Sequence, residues 1–254
     1  MPSEPGHDLR RNPARSGGDK KRRIMLTVDV EAFELRAKKH PLEKLIWGRF
    51  PEGDFGLQRI LSLVEARGAK VSAFLDYPEY YAYGEGLLDV GRELTRRGHD
   101  LNLHLHLDCI PRDYFAKRGL TEGLDLNTFT DEHATACLAD VLSLHARVSS
   151  APPAALRCGA YRYNAAMLRA LARAGVPMSS NYNPAAKLQQ FDLGPRRQFK
   201  WETGTLELPV ATRFGFLHRP YPIHFNFNIA PFLVDDEATA VAHSLTFLDE
   251  FYRE

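Results

Sequence analysis

The chain has 254 residues, of which 44% are apolar, so it can bury a large core and has the size of one barrel-type domain. Its 33 basic and 32 acidic residues leave a formal charge of +1, which gives no electrostatic reason to expect nucleic acid or an anionic membrane as a partner. Three widely spaced cysteines without a C-x-x-C pair indicate free thiols in a reducing compartment.

The first predicted segment, MPSEPGHDLRRNPARSGGDKKRR, is rich in charge, proline, glycine and serine. We expect residues 1–22 to be a disordered basic tail and residues 23–254 to form a single catalytic domain. The tail lacks the apolar core of about 7–15 residues that a secretory signal needs, and no later run is long enough to span a bilayer. The sequence therefore predicts a soluble, cytoplasmic protein.

From Ile24 onward, short β-rich runs alternate with amphipathic ones. Strands are predicted for IMLTVDV, KVSAFLD, HDLNLHLHL, ALRCG, VPMSSN, TLELPV and PIHFNFN. Helices are predicted for GLQRILSLVEARG, GLLDVGRELTRRG, DEHATACLADVLSLHARV, NAAMLRALARAG and a long segment that begins near Asp235. In the first helix, one apolar stripe contains Leu57, Ile60, Leu61 and Val64.

The alternation of strands and helices predicts an α/β fold with a largely parallel sheet. About seven strands in one domain favour a distorted (β/α) barrel. In such a fold the loops after the strands gather on one face, so polar residues at strand ends are the candidates for chemistry.

Acidic side chains end the first predicted strand. Asp29 and Glu31 lie two residues apart in TVDVE, so both side chains leave the same face of an extended chain. A lone D-x-E pair is more often simply solvated, so it gains weight only beside other ligand types.

Histidines are concentrated in RRGHDLNLHLHLD, which contains His99, His104 and His106 out of ten in the chain. By the strand period, His104 and His106 share one face, and Asp108 follows His104 by four residues. A histidine pair alone is more safely interpreted as a surface or core feature than as a metal site. Together with the carboxylates, it supplies the ligand types of a catalytic zinc-like site.

Two more polar residues fall on predicted strands. Arg157 lies in ALRCGAY, and His224 lies in YPIHFNF. A buried strand gains no stability from a charged arginine or a histidine, so both positions favour a functional role.

Over most of residues 24–230, these segments resemble the polysaccharide deacetylases of the NodB-homology type, carbohydrate esterase family four. LTVDVE resembles the family's T-F-D-D motif, KVSAFL its VKATFF strand and GHDLNLH its G-H-E-I-G-x-H motif, while RCGAY and PIHF resemble its later R-x-P and L-x-H motifs. The resemblance implies a NodB-like barrel that removes an N-acetyl group from a sugar. It also implies one divalent metal ion, with zinc as the first choice and cobalt or nickel as alternatives.

The resemblance assigns metal ligands residue by residue. His104 takes the place of the first metal histidine. Val30 stands where the family has its second aspartate, so Glu31 becomes the substitute ligand. The second metal histidine falls on Asp108, with His106 as a neighbour, and either residue could complete the site.

The resemblance also implies catalytic roles. Asp29 would be the general base, held in place by Arg157, and His224 would be the general acid. The oxyanion would rest on the metal and on a backbone N–H near Ala160 and Tyr161. The D-x-x-D-W motif that supports the last histidine in the family has no counterpart in this sequence.

The expected substrate is an intracellular sugar precursor of a surface polysaccharide, because the sequence shows no export signal. Two other functions stay open. The same residues would serve a metal amidohydrolase acting on a small non-sugar amide, or a non-catalytic relative could keep the fold and bind a saccharide. Asp29 and His224 argue against the non-catalytic relative, since a pure binding protein needs neither.

Overall fold

The computed structural model describes residues 25–33, 37, 39–183, 191, 193 and 198–210. The strands in this part of the chain are β1 (Thr27–Val30), β2 (Arg49–Phe50), β3 (Gly53–Asp54), β4 (Ser72–Asp76), β5 (Asp100–Leu105), β6 (Ala155–Cys158), β7 (Met178–Ser179), β8 (Phe199–Lys200) and β9 (Leu206–Glu207). Seven of them form one sheet in the order β1-β4-β5-β6-β7-β9-β8, and β2 and β3 form a separate hairpin. Every pairing in the large sheet is parallel except that between β8 and β9.

Helices alternate with the parallel strands, as a crossover connection requires. The described α-helices are α1 (Leu57–Glu65), α2 (Tyr80–Tyr83), α3 (Glu85–Arg96), α4 (Asp131–Ala146) and α5 (Ala165–Arg173). A π-helical turn covers Leu42–Ile46, and 3-10 turns cover Tyr77–Glu79, Ala116–Arg118, Leu126–Thr128 and Gly159–Tyr161.

One face of the sheet is apolar and is covered by helices. Leu75, Leu103 and Leu156 are aligned across β4, β5 and β6, and all three are fully buried. A Cβ added at Gly91 of α3 would lie 3.2 Å from Leu75, so the absence of a side chain at that position lets α3 pack closely on the sheet. Burial of such leucine side chains stabilises the fold by about 1.5–3 kcal/mol each.

The opposite face of the sheet is polar near the carboxyl ends of the strands. Asp76 of β4, His104 of β5 and Arg157 of β6 are aligned across three neighbouring strands. Asp29 of β1 is aligned with Phe74 on the same face. Because paired residues of parallel strands point to the same side, this register gathers the polar side chains at one edge of the sheet.

The predicted α/β fold with a largely parallel sheet of about seven strands is confirmed. Six of the seven predicted strands are observed, and PIHFNFN lies outside the described residues, as does the helix expected near Asp235. The seventh strand of the observed sheet is β8, which no sequence pattern predicted. The tail expected at residues 1–22 also lies outside the described residues.

One residue of the apolar stripe predicted for the first helix is exposed. Leu57 and Leu61 carry the buried face of α1, but Ile60 is 38% exposed. Its position lies at the edge of the predicted stripe, and α1 buries only the narrow centre of that stripe. No helix of the described residues is both long and apolar enough to cross a bilayer.

Candidate metal centre

Three side chains at the polar edge of the sheet form a compact group, which we call the metal cluster: Glu31, His104 and His106. Oε2 of Glu31 lies 3.0 Å from Nε2 of His106 and 3.5 Å from Nε2 of His104. Each residue offers one ligand atom, and these atoms all lie within 4.8 Å of one another. The two imidazole rings meet edge to face, with centroids 4.9 Å apart. Glu31, the residue after β1, thus meets the two histidines at the end of β5.

The donor set of the metal cluster fits a divalent metal ion. Two imidazoles and a carboxylate are the ligand types that zinc, cobalt and nickel accept. Ligand atoms about 2.0–2.1 Å from a tetrahedral ion would lie about 3.4 Å from one another, close to the separations seen from Glu31. His104 is 2% exposed, and its Nε2 is the ring nitrogen that faces Glu31. We conclude that the cluster could hold a metal with little rearrangement.

The charges of the cluster are strongly coupled. Hydrogen bonding to His104 and then to His106 holds the pKa of Glu31 well below its ordinary range, although burial opposes the shift. Burial alone would lower the pKa of His106, but its hydrogen bond to Glu31 and the nearby charge of Asp76 outweigh that effect and raise the pKa to about 9. The carboxylate of Glu31 therefore favours positive charge at this point, whether on an imidazolium or on a cation.

His106 has contacts on its other side as well. Its Nδ1 lies 3.3 Å from Oδ2 of the exposed Asp108. The next neighbour is Gly159, where an added Cβ would lie only 2.4 Å from Nδ1 of the ring. The imidazole is therefore held between Glu31, Asp108 and a backbone position that has room only for glycine.

A second pair of groups stands on the same face. Nη1 of Arg157 lies 2.5 Å from Oδ1 of Asp29. The arginine is buried, and Nη2 also donates to the hydroxyls of Thr27 at 3.2 Å and Ser180 at 2.9 Å. Its guanidinium carbon lies 4.2 Å from the centroid of the Phe74 ring. These contacts fix the guanidinium, so the position of the carboxylate of Asp29 is fixed as well.

The loop after β6 has an unusual backbone. Ala160 and Tyr161 both adopt positive φ angles, 50° and 57°, which non-glycine residues seldom do. Two consecutive residues of this kind store strain, a feature that clusters at functional sites. Because Gly159 touches His106, the loop lies beside the metal cluster.

The structure brings two more carboxylates to this edge, Asp76 and Glu79, which the sequence patterns did not single out. Each is 2% exposed. Burial raises the pKa of Asp76, and burial together with the charge of Asp76 raises the pKa of Glu79 to about 8. Asp76 ends a predicted strand just as Asp29 does, so the same signal could have identified it; Glu79 lies in a helical turn and had no such signal.

The remaining predicted residues lie elsewhere. His99 is at the opposite end of β5, where Nδ1 accepts the N–H of Val71 and Nε2 contacts Glu65 at 3.0 Å. These contacts account for His99 as a structural residue. His224 lies outside the described residues.

Comparison with known proteins gives one informative result. No family model matches the sequence, and no curated protein matches it either. Among solved structures, the chain is similar to the crystal structure of a "putative polysaccharide deacetylase" from Mycobacterium smegmatis, with a TM-score of 0.58 and 15% identity over 89% of this chain and 71% of that chain. At this identity the similarity concerns the fold, which is the α/β architecture expected from the sequence motifs.

Proposed function

We propose that the protein is a metal-dependent hydrolase that removes an N-acetyl group from a sugar. The observation that carries this proposal is the metal cluster, with the Asp29–Arg157 pair beside it on one face of the sheet. The motif resemblance to NodB-type deacetylases supports the same reaction, and so does the similarity in fold to a protein described as a polysaccharide deacetylase. Neither the stability of a hydrophobic core nor the binding of a saccharide requires the metal cluster and the Asp29–Arg157 pair side by side.

In this proposal, Glu31, His104 and His106 hold the metal, with zinc as the first choice and cobalt or nickel as alternatives. When bound, the ion supplies a Lewis acid that lowers the pKa of water and polarises an amide carbonyl. Asp108 then acts by orienting the ring of His106 through Nδ1, as carboxylates commonly do behind a metal-binding histidine.

The proton steps belong to the chain's own residues. Asp29 is the general base, because its carboxylate is about 30% exposed and can reach a water molecule. Arg157 holds that carboxylate at Oδ1 and keeps it oriented. Backbone N–H groups near Ala160 and Tyr161 are proposed to face the oxyanion, and His224 is proposed to protonate the leaving amine.

We further propose an intracellular substrate, such as a soluble or lipid-linked sugar precursor of a surface polysaccharide. Cys137 and Cys158 are buried free thiols. Free thiols are typical of proteins that work in a reducing compartment. Cell-wall polymers lie outside the reducing compartment, so an intracellular sugar precursor is the better candidate substrate.

The proposal is tested by separating metal binding from turnover. In His104→Ala, we expect stoichiometric zinc to be lost while the fold remains. In Asp29→Asn, we expect zinc to be retained and turnover to fall by about 10²-fold or more, the scale of a missing general base. His99→Gln is the matched control, because it changes a buried histidine far from the cluster. Metal content and acetate release measure the two effects.

The substrates to compare are N-acetylated nucleotide sugars, lipid-linked sugars, polymeric chitin and small non-sugar amides. Faster turnover of the sugar precursors supports the proposal. Preference for the non-sugar amides would make the protein an amidohydrolase of another class, and preference for chitin would contradict an intracellular substrate. Saccharide binding without acetate release from the metal-loaded protein would leave a binding function instead.

A further inference from the structure

The segment that follows β4 lies between the two parts of the metal cluster. In the sheet, β4 is the strand between β1, which leads to Glu31, and β5, which leads to His104 and His106. This segment runs from Asp76, the last residue of β4, to Tyr83, and it contains a 3-10 turn followed by α2. It provides no member of the cluster, yet it contains the buried carboxylates of Asp76 and Glu79.

On the β1 side, the segment holds the peptide group next to Glu31. The backbone N–H of Ala32 donates to both carboxylate oxygens of Glu79, at 2.7 and 2.8 Å. The hydroxyl of Tyr83 donates to the carbonyl oxygen of Ala32 at 2.9 Å. Ala32 is fully buried. Its backbone is thus held at both polar groups by side chains that lie one helical turn apart.

On the β5 side, the segment holds the backbone of a proposed ligand directly. The N–H of His106 donates to Oδ1 of Asp76 at 2.9 Å. Strand β5 ends at Leu105, so His106 lies just beyond the regular ladder. The side chain of Asp76 supplies the acceptor there.

Structural stability alone does not account for these two carboxylates. Burying a carboxylate costs free energy unless a cation or several hydrogen bonds compensate. Among the described residues, neither Asp76 nor Glu79 forms an ion pair with lysine or arginine. The compensating positive charge beside Asp76 comes from His104 and His106 of the cluster, and that beside Glu79 comes from His106. The hydrogen bonds of the two carboxylates go to the backbone N–H groups of Ala32 and His106. Both carboxylates therefore hold the backbone at the points where the residues of the metal cluster leave strands β1 and β5.

We propose that Asp76 and Glu79 are positioning residues that set the distance between Glu31 and the two histidines. This inference rests on the proposed metal site. The two carboxylates do not touch the metal or the substrate; they hold the backbone on either side of the cluster, so that three ligand atoms meet at metal-binding separations. Replacement of groups that hold metal ligands in place commonly lowers metal affinity by about 10–100-fold.

The test compares metal affinity in Glu79→Ala and Asp76→Ala with that in Glu79→Gln and Asp76→Asn. We expect zinc affinity, measured by competition calorimetry, to fall by about 10–100-fold in the alanine variants. The amide variants keep one oxygen acceptor and should lose less. The visible spectrum of the Co²⁺-loaded protein should change in the alanine variants, because it reports the arrangement of the ligands.

A matched control is Glu207→Gln. Glu207 is also a fully buried glutamate that accepts backbone N–H groups, from Asn181 and Tyr182, but it is outside the cluster. We expect its zinc affinity to equal that of the wild type. An equal loss in this control would mean that general destabilisation explains the effect and would overturn the inference.

A second readout does not depend on metal. In the metal-free protein, hydrogen exchange at the amide of Ala32 should accelerate in Glu79→Ala, and exchange at His106 should accelerate in Asp76→Ala. If the wild type binds no zinc, the proposed function fails and the exchange rates alone decide whether the residues position the backbone. If the wild type binds zinc and the folded alanine variants bind it equally well, the inference fails while the proposed function stands. Should an alanine variant fail to fold, the corresponding amide variant decides.

Discussion

Gly159, the first residue after β6, lies against the imidazole of His106. A Cβ at this position would be 2.4 Å from Nδ1 and 2.5 Å from both Cε1 and Cγ of that ring. Carbon atoms in good contact are about 3.5–4.0 Å apart. In Gly159→Ala, the ring of His106 must therefore move away from the new methyl group by about 1 Å. The φ angle of Gly159 is not positive, so alanine fits its backbone, and the three atoms nearest to the added Cβ all belong to the ring of His106.

A displacement of about 1 Å would separate Nε2 of His106 from Glu31, which now lies 3.0 Å away. We expect zinc affinity of Gly159→Ala to fall by about 10–100-fold and turnover to fall by about 10²-fold. The free energy of unfolding without metal should fall by about 1–3 kcal/mol, because the added methyl group overpacks the ring of His106, and the lower entropy of the unfolded chain offsets part of this loss. Calorimetry with zinc and guanidinium unfolding in a chelator measure the two effects.

The prediction has two controls. In a His106→Ala background, Gly159→Ala should cause no additional loss of zinc affinity, because the ring that it displaces is gone. Gly86→Ala meets only the flexible end of Leu42, at 3.0 Å, and should leave zinc affinity unchanged. A folded Gly159→Ala protein with wild-type affinity and turnover would refute the argument that this contact positions His106.

Three further outcomes are expected. Zinc at about 100 times its Kd should raise the free energy of unfolding by about 2.7 kcal/mol in the wild type and not in His104→Ala, as measured by denaturant unfolding. Arg157→Met should destabilise the protein by about 2–4 kcal/mol. The loss is smaller than for a fully buried ion pair, because Asp29 is about 30% exposed. A second change, Asp29→Asn, should restore stability if the unpaired carboxylate is the cause, and an undiminished stability of the single variant would contradict the prediction. In the metal-free protein, Glu79 keeps its proton up to a pKa of about 8, whereas the unfolded chain loses it near 4.5. Between these two pKa values the folded state binds more protons than the unfolded state, so the free energy of unfolding should fall as pH rises from about 5 to 8. Glu79→Gln should flatten this dependence of stability on pH, and an unchanged dependence would contradict the burial argument.

The parts of the molecule that local patterns determine could be predicted from the sequence. HDLNLHLHL alternates with period two, and that period predicts His104 and His106 on one face. The longer helices were found because apolar residues recur along them over several turns. The two-residue strands β2, β3 and β8 lie in no longer β-rich run, so no pattern predicts them, whereas the equally short β7 and β9 lie within the predicted runs VPMSSN and TLELPV.

The candidate site was predictable only in part, for a physical reason. The meeting of Glu31 with His104 follows from parallel strands that end at the same edge. Whether His106 or Asp108 faces Glu31 depends on how the chain turns after Leu105, where the strand period no longer applies. The bond from Ala32 to Glu79 joins residues 47 positions apart, and no local pattern reports such a contact.

The outer edge formed by β8 has a consequence for how copies of the protein meet. An exposed strand edge is a template on which another chain can add a strand, and natural proteins protect such edges with short strands and lysine. In the described part of the chain, β8 is the last strand of the sheet, is two residues long and contains the exposed Lys200. Within the described residues, this edge therefore offers only a short and charged template for strand addition by a second molecule.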